Sequence, residues 1–428
     1  MPQDFDPGRD YARARDRDAS VDLDDRFEVP DKVYLDGNSL GPLSIDAEEA
    51  LEHVIDEWRT LGIRGWTDAD PPWFHYGEHI GERLAPIIGT DAGEVVAANS
   101  TTVNIHTLIG TFLDRCAQEG RGQAVLVNDL DFPTDHYAIR GQLRIRGLDP
   151  DDYLIVVESD DGRTIDQASI ATALETHDDI GIVFMPAVFY RSGQLFDLAK
   201  ITDLAHAHDA YAGFDLAHSI GVVPHSLSDI GVDFAVWCTY KYLNAGPGAI
   251  GGLYVNRDYH GDPPGLPGWW GHDKETQFEM NLTFTPADSA GAWQIGTVPV
   301  LSAAPLLGVL DLVDSVGIDA IRAHSVALTD YLIALVDERL PDCEVGSPRA
   351  PDRRGGHVAI EHPEAYRVSE ALTAEGVVVD FRPPNVVRLC PSPYFIGFEE
   401  IWTAVDILEK IIDDRAYDRF EPRGGGVT

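Results

Sequence analysis

Asp233-Phe234-Ala235-Val236-Trp237-Cys238-Thr239-Tyr240-Lys241-Tyr242-Leu243-Asn244-Ala245-Gly246-Pro247-Gly248 reads as an apolar strand, a short polar turn with one lysine, and a Gly-Pro-Gly exit. The whole chain holds five lysines (32, 200, 241, 274 and 410) against 27 arginines. A lysine kept between a strand and a sharp turn in so lysine-poor a chain points to a need for an amine at that place. Lysine forms a Schiff base with an aldehyde such as pyridoxal phosphate (PLP), and arginine cannot replace it. Asp215 lies 26 residues upstream, in Gly213-Phe214-Asp215-Leu216-Ala217-His218. An acid ending one strand and a lysine ending the next are suited to hold the two ends of a pyridine cofactor.

Working outward, strand-like apolar runs occupy 95–98, 124–127, 153–157, 180–185, 212–215, 234–238 and 250–255. Helical patterns lie between them, near 102–118, 134–146, 166–176 and 197–209. Alternation of this kind predicts an α/β fold with a mostly parallel sheet covered on both faces. Ligands of such sheets bind beyond the carboxyl ends of the strands. Residues 256–298 are rich in Gly, Pro and Trp and read as a long active-site loop. Beyond Pro299 come helices to about 312 and near 317–339, 365–375 and 398–413, with short strands near 357–361 and 385–390. The predicted organisation is an N-terminal arm and helix over 1–60 that joins the small domain, a large domain over 61–300 with seven strands, and a smaller α/β domain over 301–428. Within the first part, roughly thirty Asp/Arg-rich residues form an irregular or loosely helical arm, and a helix capped by Ser44 runs to Leu61. The glycines at 424–426 predict a disordered tail.

At 428 residues the chain is long enough to bury a large core, and 44% hydrophobic residues place it among globular proteins. Its 72 acids against 32 bases give a formal net charge of −40, which disfavours nucleic acid and anionic membranes as partners. Acids scattered along the chain, with lysine depleted, are the pattern of a halophilic protein that works in concentrated, screening salt. An ordinary acidic enzyme is the plainer alternative. Cys116, Cys238, Cys343 and Cys390 show no paired spacing, so neither a disulfide framework nor a zinc site is expected. The polar start of the chain and the lack of a long apolar run predict a soluble, cytoplasmic protein.

Other groups extend the lysine–aspartate pair. Ser100-Thr101-Thr102 follows a strand and opens a helix, an anion site suited to phosphate, although an ordinary hydroxyl cap explains the same residues. Phe132 follows the next strand and is suited to stack on a ring, with Asp135 as a nearby hydrogen-bonding group; a proline turn with an Asp cap is the alternative. A carboxylate at Asp215, ending an apolar strand, needs a partner. Paired with a pyridinium nitrogen it keeps the ring an electron sink. His218 is placed either over that ring or in the core. Tyr240 is a phosphate ligand or an acid/base group, and plain packing is its alternative.

The segments YLDGNSLGPL (34–43), TTVNIH (101–106), FPTDHYA (132–138), FYRSGQLFD (189–197), FDLAHSIG (214–221), GVDFAVWCTYKYLNAGPG (231–248), GWWGH (268–272), WQIGTVPV (293–300) and VVRLCPSPYF (386–395) resemble kynureninase. That family consists of fold-type-I PLP enzymes of the aminotransferase class V superfamily. The resemblance implies hydrolysis of L-kynurenine to anthranilate and L-alanine in tryptophan catabolism and NAD biosynthesis. It implies Lys241 as the Schiff-base lysine, Asp215 as partner of the pyridine nitrogen, Phe132 as the ring stack, and Asp135 and His218 around the cofactor. Thr101, Thr102 and Tyr240 hold the phosphate, with Trp269 and Thr297 reaching it from the second subunit of a homodimer whose active site is shared. Arg388 takes the substrate carboxylate as a bidentate fork, a geometry lysine cannot copy; Trp66 and Asn38 complete the substrate side. Without the resemblance, Arg388 reads as a surface ion pair. The stretch Arg64-Gly65-Trp66-Thr67 and the pair Gly296-Thr297 are similar to bacterial members, whereas animal members tend to carry His in the first region and Asn at the position of Thr297. This favours kynurenine over 3-hydroxykynurenine.

Two rivals are separable. A cysteine desulfurase-like enzyme of the same fold carries His directly before the lysine and needs a mobile nucleophilic cysteine. Here Tyr240 precedes Lys241, and neither Cys343 nor Cys390 lies in a Gly/Ser-rich loop. A non-catalytic binding protein of this fold predicts loss of the lysine or the carboxylate, and both are present.

Overall fold

The seven apolar runs become the seven strands of one sheet in the computed structural model, which describes residues 6–30 and 33–422. The tail at 424–426 lies outside the described residues. The strands are β1 (Val95–Ala97), β2 (Ala124–Asn128), β3 (Leu154–Val157), β4 (Ile180–Pro186), β5 (Tyr211–Asp215), β6 (Phe234–Trp237) and β7 (Gly252–Val255). Their spatial order is β1-β7-β6-β5-β4-β2-β3. Strands β2 to β6 pair in parallel, and β7 runs antiparallel to both β1 and β6. The reversed β7 has a simple cause. The link over 238–251 contains no helix to cross back over the sheet, so the chain turns and returns along β6.

Strands β2, β4, β5 and β6 are buried at every residue, which is why their sequences are continuously apolar and do not alternate. Gly213 on β5 is required by packing. A Cβ there would lie 2.2 Å from the Phe234 ring, which stacks on Phe112 at 4.5 Å between centroids. The strand end carrying Asp215 is thereby held flat against β6.

Helices α1 (Ile45–Leu61), α2 (Thr101–Glu119), α3 (Pro133–Ile145), α4 (Val300–Val316), α5 (Ile318–Arg339) and α6 (Phe398–Asp413) carry most of the remaining core. Ser44 caps α1, its Oγ accepting from the Ala47 amide at 3.1 Å. A second sheet has the order β8-β9-β11-β10, from β8 (Glu344–Val345), β9 (Val358–Glu361), β10 (Asp380–Arg382) and β11 (Val386–Leu389), all antiparallel. Strands β8 and β10 escape a sequence reading because two or three residues carry no period.

The N-terminal segment is more ordered than the sequence suggests. Arg9–Arg17 is a regular helix, and the Asp16 carboxylate accepts from the Phe398 and Glu399 amides at 2.6 and 3.0 Å, capping α6. Arg9 and Arg13 pair with Glu399, and the Trp402 indole donates to the Pro7 carbonyl at 2.8 Å. These tertiary bonds, absent from any local pattern, turn the expected loose arm into a strap. Further on, Val33–Tyr34 pairs in parallel with Val377–Val378. The Leu35 carbonyl accepts from the Cys390 amide at 2.8 Å, and the Gly41 amide donates to the Tyr240 carbonyl at 2.8 Å. One short segment thus joins the small sheet to the turn beyond β6. Among the described residues no single helix is long and apolar enough to cross a membrane.

Candidate active site

Lys241 follows β6 and is fixed by the backbone beyond it. Asn244, Gly246 and Gly248 all take positive φ (47°, 88° and 74°), and the Asn244 amide donates to the Lys241 carbonyl at 2.9 Å. This run bends the chain sharply after the lysine, the conformation for which glycine and asparagine are suited. The half-buried Lys241 Nζ sits 2.9 Å from His218 Nε2 and 5.9 Å from the centroids of Phe132 and Tyr240. Burial, then the Lys241 charge, holds His218 well below the usual histidine range. Both effects favour the neutral ring, in which Nε2 is suited to accept from the lysine amine, while the buried Nδ1 has no partner.

Asp215 closes the other side of this cleft. It is 8% exposed, and one oxygen accepts from the Ala217 amide at 2.7 Å. Burial raises its pKa above the ordinary carboxylate value, with Lys241 pulling the other way. Asp135 is 1% exposed and its Oδ1 has no hydrogen-bond partner. Burial and then repulsion from Asp215 and Asp131 push Asp135 well above the normal range. Asp131 is raised to about 8, mainly by burial. Three buried carboxyl groups with raised pKa values crowd beside one lysine, an arrangement in which a protonated pyridine ring would favour the ionised form of a carboxylate next to it.

The rest of the cleft matches a flat aromatic ring with a phosphate tail. Phe132 stands half-exposed at the entrance, edge-on to Tyr190 at 5.4 Å, and Tyr190 lies 6.5 Å from the His218 ring. Thr101 and Thr102 occupy the N-terminal turn of α2, where free amides and the helix dipole favour an anion. The Thr102 hydroxyl lies 2.7 Å from that of Thr134 at the start of α3, bringing two helix N-termini together. Burial, and then Cys238, push the Tyr240 phenol upward. Its proton is thus retained, which suits a hydrogen-bond donor or an acid, whereas service as a base requires the phenol's pKa to be lowered first. The orphaned Asp135 and His218 atoms, the crowded carboxyl groups and the anion-binding helix ends all fit PLP.

Arg388, on β11, is 1% exposed, so the alternative of a surface pair is excluded. Its Nε donates to Asp380 Oδ1 at 3.0 Å and its Nη2 to Asp380 Oδ2. Nη2 also donates to Ser39 Oγ at 2.8 Å, and Nη1 to the Tyr190 carbonyl at 2.5 Å. The side-on edge of the guanidinium is therefore taken by Asp380. Four of its five N–H groups are thus engaged and one on Nη1 is left, so the arginine does not offer the open bidentate fork expected from sequence. Asn38 is fully buried with both amide atoms unpartnered, consistent with a group that awaits a ligand.

Trp66 and Thr297 meet elsewhere, while Trp269 packs edge-on to Phe278 at 5.8 Å. Trp66 packs on Trp73 and Trp270 at 5.8 and 5.5 Å and shares an apolar groove with Trp58, Thr297 and Leu301. Trp58 and Leu301 are strongly exposed there, at 60% and 46%, and Trp269 is 42% exposed outside the groove. Sequence reasoning missed Tyr190, Ser39, Asp36 and Asp380. Tyr190, Ser39 and Asp36 stand inside the quoted segments FYRSGQLFD and YLDGNSLGPL, while Asp380 gives no signal beyond an acid between apolar residues.

The cysteines do not supply a nucleophile. Cys116 and Cys390 are buried and pushed up to about 12 by that burial, Cys343 is raised to about 11, and Cys238 is buried and raised as well. A thiolate at neutral pH needs the opposite surroundings.

A mostly parallel seven-stranded sheet with an acid ending β5 and a lysine beyond β6 is the architecture of PLP-dependent enzymes of the aminotransferase class V type. Solved structures agree on the fold: a C-DES mutant with glycine covalently linked to its PLP cofactor superimposes with TM-score 0.76 at 18% identity, covering 89% of this chain and 97% of that one. The apo cysteine desulfurase of Thermococcus onnurineus NA1 gives 0.75 at 18% identity, covering 89% and 95%. The family model described as the kynureninase C-terminal domain matches residues 321–408. Over 420 residues the chain is 45% identical to the kynureninase of Geobacillus thermodenitrificans, covering 97% of both chains. The chain belongs to the kynureninase family.

Proposed function

We propose that the protein hydrolyses L-kynurenine to anthranilate and L-alanine, as a cytoplasmic PLP enzyme of tryptophan breakdown and NAD formation. The near full-length likeness to kynureninases carries the substrate, and the Lys241–His218–Asp215 cleft supports the chemistry. In this reading Asp215 holds the pyridine nitrogen, Phe132 and His218 flank the ring with Asp135 beside it, and Thr101, Thr102 and Tyr240 hold the phosphate. PLP, when bound, supplies the electron sink that stabilises negative charge at the substrate's α-carbon. Lys241 Nζ removes the α-proton and later returns protons, with the neutral His218 ring keeping the amine in place. Water adds to the side-chain ketone; as the bond from that carbon to the β-carbon breaks, anthranilate leaves and the protonated Tyr240 phenol gives its proton to the β-carbon, completing L-alanine. Arg388 and Asn38 hold the substrate carboxylate. Anthranilate fluorescence on mixing the PLP-loaded protein with L-kynurenine tests this, and its absence with intact cofactor binding rejects it.

The domain division over 1–60, 61–300 and 301–428 forms part of the proposal, with the cleft at the junction of the last two. The homodimer does as well. The exposed groove of Trp58, Trp66 and Leu301 is large and apolar enough to favour a covering surface. A second copy there brings Trp269 and Thr297 to the neighbour's phosphate end and Trp66 to its substrate. The likeness of Arg64-Gly65-Trp66-Thr67 and Gly296-Thr297 to bacterial members supports kynurenine over the 3-hydroxy compound as substrate.

The charge of −40 supports salt adaptation. Pairs such as Arg83 with Asp311 and Asp314 recruit the few bases, but the excess acid stays unneutralised. The melting temperature is expected to fall by at least about 5 °C between molar salt and dilute buffer. Equal melting in both removes the halophilic reading.

A further inference from the structure

Asp36 bridges to Cys390, two residues past Arg388, and lies in the segment that links the two sheets. The chain curls at Asp36, whose carbonyl accepts from the Ser39 amide at 2.9 Å. Ser39 Oγ in turn donates to Asp380 Oδ2 at 2.7 Å and accepts from Arg388 at 2.8 Å. Arg382 pairs with the same Asp380 oxygen at 2.6 Å. Asp36 is 6% exposed and its Oδ1 has no partner. Two acids and two guanidiniums thus form a formally neutral cluster around the proposed carboxylate anchor, and one acid is incompletely satisfied.

We propose that Asp36 is a positioning residue that binds one proton when the substrate carboxylate docks beside Arg388. The inference rests on the reading of Arg388 as the carboxylate anchor. A third carboxylate brought into this buried cluster gives it a net negative charge, which is costly where water is excluded. A proton on Asp36 restores neutrality and leaves the Asp380–Arg388 fork intact.

The neighbours leave Asp36 as the group able to respond. Burial and repulsion from Asp380, opposed by Arg388, raise it to about 7. Asp380 is held below the ordinary carboxylate value: burial acts upward, and Arg388 and Arg382 outweigh it. The Cys390 thiol, raised to about 12 by burial, stays neutral, as does Tyr242 behind it. His357 and His218 face the same guanidinium and are both held well below their usual range, chiefly by burial. The Lys241 side chain lies beyond both histidines and adds to the lowering of each.

The sign follows from linkage. Below about pH 7 Asp36 already carries its proton, and carboxylate binding is pH-independent. Above it, binding takes up a proton, and affinity falls by up to about tenfold per pH unit. The probe is 3-benzoylpropanoate, a keto acid without the α-amine, titrated calorimetrically into the PLP-loaded protein in buffers of different ionisation enthalpy. Near pH 8 the native protein is expected to take up close to ~1 proton per site, and near pH 6 almost none. Asp36→Asn abolishes the uptake at the higher pH. In the same variant KM for L-kynurenine loses about a tenfold rise per unit that the native enzyme shows, while kcat changes little. Equal uptake in variant and native protein, or none in the native protein at either pH, overturns the proposal. The native comparison needs no variant to fold. Asp36-dependent uptake without turnover of L-kynurenine rejects the proposed substrate and leaves this inference standing.

Discussion

Replacing Lys241 with alanine is expected to lower L-kynurenine turnover by at least about 10⁴-fold and to abolish the visible absorbance of the lysine-linked cofactor. The size of the effect follows from the absence, among the described residues, of any substitute amine in the cleft. Lys274 is committed elsewhere, its Nζ donating to the Phe74 carbonyl at 2.6 Å and paired with Glu78. His218 is the one base within hydrogen-bonding distance of Nζ, and burial with neighbouring charge favours its neutral form, but it cannot make the covalent link. Lys241→Arg is expected to fail equally, because a guanidinium stays protonated and forms no Schiff base. Both variants should remain folded, since the half-buried lysine contributes one bond to a cleft already rich in neutralised acid. Turnover above about 1% of native in a folded Lys241→Ala protein would remove Lys241 from the chemistry.

Arg388→Met should produce the second large loss, in a different parameter. KM for L-kynurenine is expected to rise by about 10²-fold or more with a smaller change in kcat, because in the proposed reading the lost group binds substrate and does not react. The same variant removes one of the two guanidiniums that pair with buried Asp380, leaving it Arg382 and the Ser39 hydroxyl. Removing one partner of a buried pair costs about 3–5 kcal/mol, so the melting temperature should drop as well. Pairing it with Asp380→Asn separates the two effects. The double variant is expected to regain most of the stability and none of the substrate affinity. Recovery of KM in that double variant would mean that Arg388 acts only as a structural counter-ion.

Much of this architecture is legible in the sequence because burial on both faces writes β2, β4, β5 and β6 as uninterrupted apolar runs. Asp215 and Lys241 stand out against that background as polar residues at strand ends, the one place where a parallel sheet exposes chemistry. The direction of β7 is not legible, since pairing is decided by the geometry of a helix-free link and not by any residue in the strand. Nor is the environment of Arg388. Its partners Asp36, Ser39 and Asp380 come from two distant parts of the chain and meet only when the small sheet closes on the N-terminal segment. Asp16 is a comparable case: an aspartate in an Asp/Arg-rich stretch gives no sign that it caps a helix at the other end of the chain. The raised phenol of Tyr240 likewise depends on burial beside Cys238, which no spacing reveals.

The segment over residues 33–41 bonds to strand neighbours of Arg388 through Leu35 and to the Tyr240 carbonyl through Gly41. Two elements far apart in the sequence are thus indexed to one continuous stretch of backbone. Gly41 is its tight point: a Cβ there would lie 2.7 Å from the Lys241 carbonyl, so a side chain at 41 fits only if the lysine turn shifts. A residue that touches no ligand therefore sets where the reactive amine stands.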